Sequence, residues 1–252
     1  MSQYELLKEL DLITPVSNAI RAEKILIDKT RSKLVYKTTK ESEMPWVLIR
    51  KDPSRDCNRW LGIYFNYYRI IPSKCFGCMK IVFRPNNLEE CFAVEEVQQD
   101  MGMYSKYGME QREFCPHLYG AFWYVPMGAN LARAQQLHGE VKKALETKLN
   151  REVKLILKRA CTEMELGYGD STTWGDFPPQ DQVRYEHLLD STYEAYDEKQ
   201  AQQTPMEQAT IRRRMIEYAW KNGDETYKLF TNSKPLFPAS HDYSNDSPLE
   251  GL

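Results

Sequence analysis

The sequence predicts a mixed α/β fold of the α+β kind, and three observations point there. Apolar residues make up 42% and aromatics 12% of 252 residues, enough for a packed core. Short runs rich in β-branched and aromatic residues, such as Trp46–Ile49 and Tyr119–Val125, read as strands. Between them lie stretches with apolar residues at helical spacing, including Leu131, Ala134, Leu137, Val141 and Leu145.

The elements follow in chain order. Residues 1–40 read as helical at first, with a short strand around Leu34–Tyr36. Trp46–Ile49 is a second strand, stopped by the turn Asp52-Pro53-Ser54. The dense aromatic run Trp60–Pro72 reads as one long strand or two shorter ones. Met79–Phe83 alternates as a strand. Asn86 or Asn87 then caps a helix from Leu88 to about Asp100, which Gly102 ends. Met109–Phe114 reads as a polar edge strand and Tyr119–Val125 as a strong one. A helix running to Leu149 follows, and Glu152–Cys161 is the last strand. Beyond the turn-rich 167–179 come two helices, Gln180–Tyr196 and Pro205–Phe230, and an aperiodic tail.

Strand, helix, strand, strand, helix, strand (βαββαβ) over about residues 75–165 resembles the split βαβ order of ferredoxin-like domains. The expected organisation is an N-terminal β-containing extension (1–74) packing on the core, and the core itself (75–166). A linker with C-terminal helices (167–231) and a tail (232–252) complete it.

Six cysteines in a chain that begins without a secretory pattern predict reduced thiols, a metal or a reactive cysteine in a cytoplasmic protein. Topology decides which of them matter. With the first and third strands parallel and the other two opposed, one sheet edge would collect three places: the start of strand one, the turn between strands two and three, and the end of strand four. Cys75 and Cys78, Cys115, and Cys161 stand at those places. Cys75-Phe-Gly-Cys78 has the spacing for two thiolates on one ion. The expected centre is therefore Cys75, Cys78, Cys115 and Cys161 around zinc or, as a near-equal alternative, a [4Fe–4S] cluster. Cys91 falls on the apolar face of a helix, and Cys57 precedes the aromatic run. Both read as plain thiols outside the centre.

The sheet face turned away from the helices would carry Lys80, Arg84, Phe122, Tyr124, Lys154 and Lys158. Basic and aromatic side chains on a sheet form the surface on which single-stranded nucleic acid stacks. The alternative is a face covered by the rest of the chain, with lysine and arginine stems lying on apolar surface. Balanced charge, 34 basic against 36 acidic residues, removes any global attraction to polyanions. No run approaches a membrane span, and no phosphate loop, His-Glu zinc motif or serine elbow occurs. The expected function is a non-catalytic, metal-stabilised binding or scaffold protein with a protein partner. The alternatives are an iron–sulfur redox protein or enzyme on the same cysteines, and nucleic-acid binding through the sheet face.

Overall fold

The computed structural model describes residues 13–30, 32–36, 44–175, 180–195, 202–237 and 239–245. The helix expected at the very start of the chain and the end of the tail lie outside them. The fold is mixed α/β with two sheets. Helix α1 (Ile13–Arg21) leads into the hairpin β1 (Ile25–Asp28) and β2 (Lys33–Tyr36). Strand β3 (Trp46–Arg50) follows.

The aromatic run does not form a strand. Asp56 accepts from the Arg59 backbone N–H and starts the helical segment α2. This comprises Cys57–Arg59, six residues Trp60–Phe65 with π-helical spacing, and a last turn Asn66–Tyr68. Composition pointed to β, but Trp60, Ile63, Tyr64 and Phe65 are all buried. A short apolar run buried on several sides carries no period that separates strand from helix. Tertiary packing then overrides propensity.

The turn α3 (Ser73–Phe76) precedes β4 (Met79–Phe83). Helix α4 (Leu88–Met101) is capped by Asn87 and ended by left-handed Gly102. Strand β5 is Ser105–Met109, so the second strand lies before the expected 109–114. It is not an edge either, because β3 pairs along its outer side. Strand β6 (Tyr119–Tyr124), helix α5 (Leu131–Leu149, capped by Asn130) and β7 (Leu155–Arg159) complete the central unit.

Helix α6 (Thr162–Tyr168) and a 3-10 turn, Ser171–Trp174, occupy part of the expected linker. Helix α7 (Gln180–Thr192) runs into β8 (Tyr193–Ala195), which adds in parallel to β2. Helix α8 (Pro205–Lys221) opens on a capping box of Thr204 and Glu207. It stops before the 3-10 turn Glu225–Phe230.

The large sheet has the order β3-β5-β6-β4-β7, every neighbouring pair antiparallel. Opposed pairs down the strands alternate cleanly between faces. Ile81, Phe83, Tyr107, Tyr119, Ala121 and Trp123 join α4, α5 and α8 in the main core. Lys80, Phe122, Tyr124, Lys106 and Lys158 point the other way, as the registers Lys80↔Tyr124, Lys80↔Lys158 and Lys106↔Phe122 require.

These registers correct the expected strand directions. β4 and β5 are both antiparallel to β6, so they run parallel to each other. A strand that returns after a helical crossover keeps the first strand's direction. The turn after β5 is therefore at the far end of the sheet from the start of β4. Cys115, in that turn, cannot share an edge with Cys75 and Cys78. Cys161, one residue beyond the Ala160 N–H that donates to the Cys78 carbonyl, does share it.

Candidate metal–thiolate site

Four cysteines lie within electrostatic reach of one another at the β4-start end of the sheet, and the fourth is Cys57. Cys75 and Cys78 are tied by the turn α3: the Cys75 N–H donates to the Pro72 carbonyl and the Cys78 N–H to the Cys75 carbonyl. Both are buried. Cys161 N-caps α6, whose Met164 and Glu165 N–H groups donate to its carbonyl. It packs with Cys75, Trp60, Phe65, Phe76 and Met164 in a second apolar cluster.

Cys57 opens α2, which buried Arg55 draws onto the sheet. Arg55 donates from Nη1 to Cys78 Sγ (2.6 Å), from Nη2 to the Val125 carbonyl (2.5 Å) and from Nε to Asp52 (2.8 Å). Its guanidinium also lies 5.0 Å from the Tyr124 ring centroid. Each of the four thiols lies within electrostatic range of the other three.

The electrostatics describe a crowded neighbourhood. Burial, then the neighbouring Cys161 and Cys78, push the Cys57 thiol up to about 12, although the residue is open to solvent. Its side chain touches solvent while neighbouring groups crowd around it. Tyr124 and Lys106 share this character. Both are only half-buried by exposure, yet burial raises the Tyr124 phenol well above its ordinary value and pushes the Lys106 ammonium down to about 8. Burial also raises Cys75 well above its usual value, and raises Cys78 against the pull of Arg55 and Lys80.

The cations sort by partner. Arg55 is paired with Asp52, and Lys158 with Glu165. Arg84 and Arg112 share Glu110, and Arg112 reaches Glu163. Lys80 lies 3.9 Å from Cys161 Sγ, and Lys106 lies over the rings of Trp46 and Phe122. Neither lysine has a carboxylate partner among the described residues, so two positive charges face the thiols uncompensated.

The other expected residues scatter. Cys115 is half-buried in the far turn, in electrostatic contact with Tyr218. Phe122 is buried under the edge of Trp46, ring centroids 5.2 Å apart. Arg84 is spent on Glu110, and Lys154 is exposed outside β7. The middle of the basic and aromatic face is thus buried, while its β7 edge, with Ile156 and Lys154, is exposed. Among the described residues no three His, Cys, Asp or Glu side chains converge tightly enough to hold a single metal ion. None of the described helices is long and apolar enough to cross a membrane. No family model matches the chain, and no curated protein or solved structure matches it.

Proposed function

We propose that this is a metal–thiolate protein, whose centre is held by Cys57, Cys75, Cys78 and Cys161 against one end of a ferredoxin-like sheet. The single observation that supports the reading is that four thiols from three separate chain segments lie within electrostatic reach of one another, with Lys80 and Lys106 beside them. The buried thiols of Cys75 and Cys78, beside two lysines with no carboxylate partner among the described residues, are costly to enclose. Deprotonating the thiols onto a metal turns the same groups into a compensated set, because a tetrathiolate centre carries the negative charge that the lysines lack. The N-terminal part is then no mere extension, since it supplies a ligand through α2. The centre would fasten that segment to the sheet and give the protein a site for electron or metal chemistry.

The test is metal analysis of protein purified without oxygen, comparing Cys57→Ser with Cys115→Ser. The expected result is loss of most of the metal in Cys57→Ser and full content in Cys115→Ser. The reverse pattern would restore Cys115 to the centre and sink this ligand set.

A further inference from the structure

We propose that the outer edge of β7 takes up an acidic, extended segment of a partner protein as a further strand of the large sheet. None of the thiols takes part.

The two edges of this sheet differ. Side-chain amides close β3: the Leu48 N–H donates to Gln203 Oε1 (2.8 Å), and Gln203 Nε2 donates to the Trp46 carbonyl (2.9 Å). Gln208 Nε2 donates to the Leu48 carbonyl (3.1 Å). Glutamines thus stand where a neighbouring strand would pair. β7 has β4 on one side and no strand on the other. The Ala160 N–H donates to the Cys78 carbonyl, so by alternation the backbone groups of Ile156 and Lys158 also point to β4. Those of Leu155 and Leu157 point outward, and they have no hydrogen-bond partner among the described residues. Such an edge is a template for one more strand, and strand addition is a recurring mode of peptide recognition.

The side chains along the edge select the occupant. Ile156 is 50% exposed, and Lys154 beside it is exposed without a carboxylate partner among the described residues. A hollow of about 490 Å³ opens where α5 meets the start of β7, lined among others by His138, Lys142, Arg151, Glu152 and Lys154. Glu90 holds Arg151 and Glu146 holds Lys142, which leaves Lys154 as the cation free to take an incoming carboxylate. At the other end of the strand Arg159 binds the Ser171 and Gly175 carbonyls and brings that turn against it.

A second copy of the chain fits worse. Paired antiparallel about Ile156, two β7 strands would set Lys154 opposite Lys158 on both sides of the axis, and like charges so opposed repel. Lysine on an edge strand guards against pairing with its own kind. The same lysine attracts carboxylates. A segment alternating acidic and β-branched residues would bond its backbone to Leu155 and Leu157. Its β-branched side chains would lie beside those leucines and its carboxylates beside Lys154.

The test uses the full chain and a labelled synthetic peptide alternating glutamate and valine, with a lysine–valine peptide as control. Binding is read by fluorescence anisotropy and by backbone hydrogen exchange. The glutamate peptide should bind and slow exchange at the Leu155 and Leu157 amides, leaving Ile156 and Lys158, already bonded to β4, near their former rates. Lys154→Glu should weaken that binding on the order of tenfold. Of two glutamate peptides N-methylated on alternate amides, one should keep its affinity and the other lose it, because an added strand bonds through one edge. Equal behaviour of the two methylated peptides, or binding without protection of Leu155 and Leu157, would overturn strand addition. Equal affinity for the lysine peptide would overturn the acidic occupant. Protection of the same amides in the free protein, rising with its concentration, would give the edge to a second copy and overturn the partner. No binding of the glutamate peptide would overturn the proposal outright.

Discussion

Lys106 is the residue whose placement asks most of the fold. It comes from β5, lies over the rings of Trp46 and Phe122, and burial lowers its ammonium pKa to about 8. Lys106→Met should therefore act in opposite directions with the proposed centre empty and with it filled. Metal-free protein should gain on the order of 1 kcal/mol in urea unfolding, because a desolvated charge has gone. Metal should be lost more readily to a chelator, because one compensating charge is missing. A variant that loses stability without metal would place Lys106 in a favourable contact of its own. The residues around it were unevenly legible. Cys75 and Cys78 declare themselves by spacing, and Cys161 by closing the last strand. Cys57 carries no local signal. It stands well before the pair in sequence, and Arg55, reaching over Tyr124 to Cys78, brings it in. Nothing in a linear pattern announces that contact. Cys115 was misplaced for a simpler reason, the assumed direction of the second and third strands.

At the level of elements, caps and glycines fixed what could be read. Asn87, Gly102 and Asn130 bound α4 and α5 close to where their sequence signals lie. The helical α2 was hidden because its aromatic residues favour strands in general, and only their burial on several sides shows otherwise. Strand β3 depends on a glycine on its neighbour. A Cβ at Gly108 would stand 2.1 Å from the Pro45 carbonyl oxygen, just where Trp46 pairs with Gly108. Gly108→Ala should loosen β3 from the sheet and cost on the order of 2–4 kcal/mol, read from thermal or urea unfolding. A cost below about 1 kcal/mol would mean that the edge strand moves freely.

The turn after β5 has its own anchor in Glu110, whose side chain is fully buried. Burial alone would raise its carboxyl, but hydrogen bonds from Arg112 and Arg84 hold it at about 2. Its folded pKa is depressed, so its contribution to stability is complete above the unfolded value near 4.5 and falls away as pH drops towards 2. Glu110→Gln should flatten that part of the stability–pH curve. An unchanged slope between pH 4.5 and 2 would show that other carboxylates set it.

Over the whole molecule the apolar interior divides in two. The main core lies between the large sheet and α4, α5 and α8. The second cluster joins α1, the β1–β2–β8 sheet, α2, α3, α6 and α7, through residues such as Ala19, Tyr36, Tyr64, Phe76, Met164 and Leu189. The sequence order made the first of these readable, since its strands and helices follow one another within a continuous stretch. The second draws on both ends of the described chain, and no local period encodes such a meeting. The proposed centre stands at the join. Cys75 and Cys161 belong to the second cluster, whereas Cys78 abuts β4, a strand of the main core. Polar ties also cross near it: Arg55 to Cys78 and Val125, Arg159 to the Phe76 and Ser171 carbonyls, Lys158 to Glu165 and Arg112 to Glu163. A staple at a seam stabilises the weaker side more than the stronger. Removing the metal should therefore speed backbone hydrogen exchange in α2, α3 and α6, and leave α4 and α5 near their former rates, because their burial against the sheet does not pass through the thiols. Uniform acceleration across both clusters would mean that the two unfold as one unit. No acceleration anywhere would mean that the thiols carry no structural tie.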